Sequence, residues 1–379
     1  MSGACIFSAD PTATDSDADP PGPTTDAADA SSSSNATTLS PTTGTTGTTG
    51  TTGSLTTTTD SSGPTSTTST TSTTGTTTTG DEDGLPDPKV TEVWAFTAMD
   101  LGDIDGDGRL DLVTSGTGSP PRVTVYLGRG DGTFDVGAAV TSELSAFSAF
   151  IVADVTGDGR ADVLAQGTGS PPRLTVYAGQ ADGAVAELAT TVVFNFTHMH
   201  AGDLTGDGRA DVVLGEGDAN QPWVQIWPGA DAGLSDTPLS ELHPGRYHVL
   251  RVGDVDGDGD ADLVTGSTGS PPQLHVRLGD GAGDLGQPVS AQVFTYSQLD
   301  LGDLDGDGRS DAVADIPGNA WRFQVYRAIP GGWASAVTHD AHNFVALELG
   351  DLDGDGRADV VLQPTGSPPR VEVYLSPLR

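Results

Sequence analysis

Nine-residue aspartate-rich segments recur six times in this 379-residue chain at nearly constant spacing, and that recurrence restricts the fold more than any other feature. They occupy residues 103–111 (DIDGDGRLD), 154–162 (DVTGDGRAD), 203–211 (DLTGDGRAD), 254–262 (DVDGDGDAD), 303–311 (DLDGDGRSD) and 351–359 (DLDGDGRAD). Their starts lie 51, 49, 51, 49 and 48 residues apart, so each copy marks one structural unit. Each unit reads as four short strands, and no helical period persists. Strand a ends at the loop (150–153 in the second copy) and strand b starts on the loop's last aspartate (162–165). Strand c alternates clearly in VTVYLG (123–128), LTVYAG (174–179) and VEVYLS (371–376). Strand d is weaker and follows a turn such as Gly130-Asp131-Gly132.

Four-stranded units of about forty to fifty residues repeated several times are the signature of a β-propeller. Six units predict six blades. The last unit stops after strand c, while residues 89–94 stand where the strand d of a preceding blade would, so the N-terminal strand is expected to complete the last blade and seal the ring.

Within each loop the carboxylates suit a hard cation that takes six to eight oxygens. In the first copy Asp103, Asp105 and Asp107 would offer side-chain oxygens, Arg109 its carbonyl, and Asp111 one or two further oxygens. The same positions are Asp154, Thr156, Asp158, Arg160 and Asp162; Asp203, Thr205, Asp207, Arg209 and Asp211; Asp254, Asp256, Asp258, Asp260 and Asp262; Asp303, Asp305, Asp307, Arg309 and Asp311; and Asp351, Asp353, Asp355, Arg357 and Asp359. Up to six Ca2+ ions are therefore expected. Thr156 and Thr205 exchange a carboxylate for a hydroxyl, so the second and third loops should bind most weakly. Metal-free Asp-Gly hairpin turns are the plainer reading, but such turns do not call for an aspartate at every ninth position. An EF-hand or dockerin loop would run into a helix, whereas β-branched pairs such as Val212-Val213 and Val360-Val361 follow here.

The D-x-[DT]-G-D-G-x-x-D loop between strands, together with VTVYLGRGDGTF (123–134), resembles the FG-GAP or VCBS repeat proteins, the group that includes the integrin α-subunit propeller. The resemblance covers all six units. It implies an all-β, six-bladed propeller of four-stranded blades with calcium-binding a–b hairpin loops, although integrin propellers have seven blades. It also implies that the opposite face, with its d–a and b–c loops, is the binding face. The family includes lectin-like modules and non-catalytic parts of enzymes, so membership fixes no ligand.

Residues 1–85 hold almost nothing but Thr, Ser, Gly, Asp, Ala and Pro, a composition that cannot offset the entropy of ordering its backbone. They read as a disordered Thr/Ser/Gly-rich stalk ahead of a propeller over 86–379. The single cysteine, Cys5, excludes an intramolecular disulfide. Ser2-Gly3-Ala4-Cys5 resembles the end of a bacterial lipoprotein signal, without the basic and apolar stretches that precede one, so Cys5 reads equally as a lipid anchor or as a bare thiol. No apolar run is long enough for a membrane helix. The net charge of −37 opposes nucleic-acid binding and favours neutralisation by cations. A secreted or cell-surface monomer is expected.

Ligand-binding candidates lie on the opposite face. TGSPP recurs in the b–c loop at 117–121, 168–172, 268–272 and 365–369, and is replaced in copies three and five. An aromatic stands seven residues before each loop: Phe96, Phe147, Phe196, Tyr247, Tyr296 and Phe344. These either form a stacking ring for sugars or peptides or fill the same inter-blade gap six times. Asp100, Ile151, His200, Arg251, Asp300 and Glu348, three residues before each loop, are candidates for channel lining. Arg129-Gly130-Asp131 spells an RGD but coincides with a c–d turn, and His198 and His200 form an HxH pair without a third zinc ligand nearby in sequence. There is no GxSxG, HExxH or phosphate-cradling loop, and the regularly placed aspartates are committed to metal, so no enzyme is expected. A binding or adhesion module for a protein or glycan is the leading expectation, with a lectin or hydrolase-associated domain as the alternative.

Overall fold

The computed structural model describes residues 85–376 except 117, 218, 219, 268 and 319–321. Cys5 and the expected stalk up to residue 84 lie outside the described residues. Among the described residues every regular element is a strand. Six antiparallel four-stranded sheets form the blades, with two-stranded hairpins added in the c–d connections of blades 3 and 5 and an isolated Gly279–Leu285 bridge in that of blade 4.

Blade 1 runs Phe96–Gly102, Asp111–Gly116, Arg122–Gly128, Phe134–Glu143, each strand hydrogen-bonded to the next. In all six blades strand b begins on the ninth residue of the aspartate loop. The inner strands Phe96–Gly102, Phe147–Ala153, His198–Gly202, Val249–Gly253, Leu299–Gly302 and Phe344–Gly350 form a closed cycle, each beside the inner strands of both neighbours. Lys89–Glu92 pairs antiparallel with Arg370–Tyr374, from Lys89 opposite Val373 to Glu92 opposite Arg370. The N-terminal strand thus supplies the outer strand of blade 6 and seals the ring, as the truncated last repeat implies.

There is no single central core. Six apolar clusters sit at the six blade junctions; Val113, Val123 and Val125 of blade 1, for example, pack on Phe150, Val163 and Tyr177 of blade 2. Strand b is covered on both faces and therefore reads as an unbroken apolar run, such as Val360-Val361-Leu362, rather than as an alternation. The aromatics seven residues before the loops belong to these junctions. Phe96, Phe196, Tyr247, Tyr296 and Phe344 are buried and Phe147 is half-buried, so they fill gaps and form no stacking ring. The second residue of each loop is likewise an apolar plug: Ile104, Val155, Leu204, Val255, Leu304 and Leu352 are all buried.

Candidate metal centres and the opposite face

Each aspartate loop is held by its own first and ninth residues. In the first loop Asp103 Oδ1 accepts from the Gly106 and Asp107 amides at 2.8 and 3.0 Å, and Oδ2 accepts from Gly108 at 2.8 Å. Gly106 and Gly108 have φ of 77° and 86°, which a Cβ would resist. Asp111, 1% exposed, accepts from the Ile104 amide at 2.9 Å and from the Gly128 amide at 2.8 Å, so it clamps the loop to the end of strand c. Asp162, Asp211, Asp262, Asp311 and Asp359 make the corresponding pair of bonds in the other blades. The ninth aspartate therefore has a structural role that needs no cation, which the turn argument from sequence did not foresee. In Asp111, Asp262 and Asp359 each oxygen accepts one such bond and keeps a further lone pair for a ligand, whereas Asp162 Oδ2, both oxygens of Asp211 and Asp311 Oδ2 already accept two.

Neighbouring loops are also tied together. The amides of Ala161, Ala210, Ser310 and Ala358 donate to the carbonyls of Asp103, Asp154, Asp254 and Asp303 in the preceding loop, at 2.5 to 2.8 Å. Position seven adds a side-chain tie: Arg209 and Arg357 donate through Nε to the carbonyls of Thr156 and Asp305 in the preceding loop at 3.3 and 3.2 Å, whereas Arg109 and Arg160 donate within their own blades to the carbonyls of Gly128 and Gly179, each at 2.9 Å.

Four loops bring three carboxylates within 4.8 Å of one another: Asp103, Asp105 and Asp111; Asp254, Asp256 and Asp262; Asp303, Asp305 and Asp311; and Asp351, Asp353 and Asp355. The loops with Thr156 and Thr205 form no such group among the described residues. The all-oxygen donor set and its spacing fit a hard divalent cation. Electrostatics agrees in sign: burial, followed in size by the neighbouring Asp107 carboxylate, raises the pKa of Asp105, and burial pushes Asp111, Asp162, Asp262 and Asp359 up to about 6. A cation among such carboxylates would relieve that penalty.

The fifth loop contains a resident cation that the motif conceals. Arg327 donates to Asp311 Oδ2 at 2.5 Å and lies 3.8 Å from Asp305, two of the three clustered carboxylates. Matching positions of blades 1, 4 and 6 carry Leu127, Leu278 and Leu375, so the signal was a break in the repeat outside the motif itself.

The residues three before each loop are inter-blade struts rather than simple solvated lining. Asp100 accepts from the Val152 amide at 2.7 Å, His200 Nδ1 from Val252 at 3.3 Å, and Asp300 from Leu349 at 2.8 Å. Each odd blade is thereby joined to the even blade after it. Asp300, 6% exposed, also accepts from Arg251 Nε at 3.1 Å and stands 4.0 Å from His200 Nε2. Burial pushes Asp100 up to about 7, and burial reinforced by Asp300 and Asp100 holds Glu348 well above its ordinary 4.5. Burial, then Arg251, depresses His200 to about 3.

These shifts have opposite signs for stability. Folding retains a proton on Glu348 that the unfolded chain has lost above 4.5, so its contribution is present in acid and disappears as pH rises through the raised value. His200 acts inversely, its contribution fading as pH falls below 6.5. Above 6.5 the two effects no longer oppose each other, because His200 is then neutral both folded and unfolded. Glu348→Gln, which retains a neutral donor toward Asp300, is expected to flatten the fall in melting temperature as pH rises above 4.5, measured in calcium. An unchanged slope would refute that assignment.

The other candidates resolve into structural parts. Arg129-Gly130-Asp131 is a c–d turn in which Asp131 accepts from the Thr133 amide at 3.0 Å and Arg129 pairs with Asp135 at 3.2 Å. His198 bonds Thr197 Oγ1 and the His248 carbonyl, each at 2.9 Å, and the HxH pair belongs to no acidic or histidine cluster among the described residues. No helix among the described residues is long and apolar enough to cross a membrane.

A closed ring of six four-stranded blades with an acidic loop at every a–b hairpin defines a β-propeller of the aspartate-loop type. The profile of the FG-GAP-like repeat matches residues 103–165, 203–265 and 254–314, each match spanning two successive loops, so FG-GAP-like repeats build blades of this six-bladed propeller. No curated protein sequence matches it. Among solved structures it is similar to the Photorhabdus luminescens Tc holotoxin pore carrying the TccC3-D651A mutation (TM-score 0.51, 21% identity), over 76% of this chain and 14% of that one. The exotype rhamnogalacturonan lyase YesX (TM-score 0.42, 16% identity, 77% of this chain and 74% of that one) and the Bacillus licheniformis rhamnogalacturonan lyase PL11 (0.41, 15%, 76% and 72%) are further matches. The chain thus spans about one seventh of the toxin chain's length, and the likeness is one of fold.

Proposed function

We propose that the chain is a calcium-braced, non-catalytic binding module whose ligand face lies opposite the aspartate loops. The observation that carries this reading is the convergence of three carboxylates within 4.8 Å in four of the six loops, all at the a–b end of their blades. First and ninth aspartates are spent on backbone amides, a bracing duty, which leaves the irregular b–c and d–a loops to supply specificity. Exposed loops with three clustered carboxylates suit the weak affinities of extracellular modules, where calcium is abundant. Export to the cell surface or medium on a low-complexity stalk over residues 1–85, with a protein or glycan ligand, follows from that setting. Attachment through Cys5 is the accompanying proposal for the anchor.

Calorimetric titration of the chelator-treated protein tests it. Three sites, in loops 1, 4 and 6, are expected to fill first, with loop 5 weakened by Arg327 and loops 2 and 3 weakest. Arg327→Leu removes a positive charge from within 4 Å of two carboxylates and is expected to strengthen calcium binding at the fifth loop about tenfold, equivalent to about 1.4 kcal/mol. An unaltered isotherm would show that Arg327 does not compete. Protein that takes up no calcium would end the whole proposal.

A further inference from the structure

The third blade breaks the repeat at one place on the loop-opposite face. In blades 1, 2, 5 and 6 strand c opens with an arginine: Arg122, Arg173, Arg322 and Arg370. The blade generally gives that arginine a carboxylate. Arg122 stands opposite Glu143, Arg322 pairs with Asp340 across the strands, and Arg370 stands opposite Glu92 and donates to Glu372 at 3.0 Å.

In blade 3 the arginine is replaced by Trp223, yet carboxylates are added around it. Glu216 faces Trp223 from strand b, where the other blades have Gly116, Gly167, Ser267, Ile316 and Pro364. Glu241 faces Gln225 from strand d, where blades 1, 2, 4 and 5 have Thr141, Thr190, Ser290 and Thr338. These residues line a cleft of about 460 Å3 with Phe194 and His243. Phe194 is 62% exposed and meets Trp223 edge to face at 6.4 Å.

An unsatisfied acceptor marks the cleft as more than a run of acids. Gln225, 3% exposed, lines it and donates through Nε2 to Glu241 Oε2 at 2.6 Å, while its Oε1 makes no hydrogen bond. A buried acceptor without a donor carries a desolvation cost that a ligand N–H would relieve. Two carboxylates, an amide oxygen and two aromatic faces form a set rich in acceptors, complementary to a planar cation with several donors.

The geometry points to this cleft as a receptor for a guanidinium group, an arginine side chain of a basic partner protein filling the slot that other blades fill with their own. The chain's net charge of −37 would steer such a partner toward it. The inference rests on reading the loop-opposite face as the ligand face, and not on calcium.

Calorimetry with N-acetyl-L-arginine amide against the neutral N-acetyl-L-citrulline amide tests it, in calcium and in chelator. The arginine compound is expected to bind and citrulline to bind at least about tenfold more weakly. Trp223→Arg, which restores the repeat's own cation, and the double change Glu216→Gln with Glu241→Gln should each cut arginine binding at least about tenfold. An unchanged melting temperature would show that these variants remain folded. Equal binding of citrulline, full binding by Trp223→Arg, or no heat at tens of millimolar arginine compound would overturn the assignment. If screening of proteins and glycans finds a ligand that ignores these variants, only this cleft is wrong. If no ligand is found on that face at all, the binding-module reading fails with it.

Discussion

Removing residues 1–94 should abolish the cooperative melt and leave an aggregation-prone chain, whereas removing residues 1–84 should leave the melt unchanged. The difference is the ten residues that close the ring. Without Lys89–Glu92 the strand Arg370–Tyr374 becomes a bare edge carrying Val371, Val373 and Tyr374, all now buried. An unpaired apolar edge is a template for pairing with other chains. Val93 is buried in the cluster between blades 6 and 1, its amide donates to the Pro369 carbonyl at 3.0 Å, and the Trp94 amide donates to the Tyr126 hydroxyl at 3.0 Å. Each buried apolar side chain lost is worth about 1.5 to 3 kcal/mol, a large part of an ordinary domain's net stability. Opening a ring also uncouples its first and last blades, so the loss exceeds that of one strand. Val93→Asp probes the same junction at one site and should lower the melting temperature by many degrees. A sharp, reversible melt after removal of residues 1–94 would show that the seal is not needed.

The architecture was legible because its signals are local. A loop that needs glycines at its fourth and sixth positions, flanked by β-branched runs at a fixed period, announces a hairpin wherever it occurs. Closure was legible too, because a missing strand at one end and a spare one at the other are features of a linear string. Contacts between blades were not, since they join residues about fifty apart with no motif to link them. Asp100, His200 and Asp300 read as variable lining, yet all three accept a backbone N–H from the following blade. A clue existed: the loops of blades 1, 3 and 5 begin at 103, 203 and 303, so the chain also repeats every two blades. Exposed Trp94, Phe194 and Phe294 follow the same hundred-residue spacing. Arg327 and the blade 3 cleft were hidden differently. They are departures from the repeat, and a search for what recurs passes over what is substituted.

Chelation of calcium should lower the melting temperature by about 20 °C or more. If loops 1, 4 and 6 each hold an ion at a hundredfold excess over Kd, each contributes about 2.7 kcal/mol, about 8 kcal/mol together. For a domain of this size one kcal/mol corresponds to roughly 2 to 4 °C. The effect should appear in the global transition, because the loops do not stand alone. Asp111 and its counterparts tie them to strand c, and the Ala161, Ala210, Ser310 and Ala358 amides tie each to the loop before it. Screening of the net −37 charge would also stabilise the fold, so the control is sodium chloride at matched ionic strength, which should recover only a small part of the shift. Site changes separate the copies. Asp105→Asn removes a carboxylate from a loop where three converge and should lower the melting temperature in calcium while changing it little in chelator. Thr156→Asp restores the third-position carboxylate of the second loop and should raise the melting temperature only when calcium is present. Identical melts in calcium and in chelator, or a rise reproduced in full by sodium chloride, would reduce the six loops to hydrogen-bonded turns, for which the first and ninth aspartates already supply the bonds.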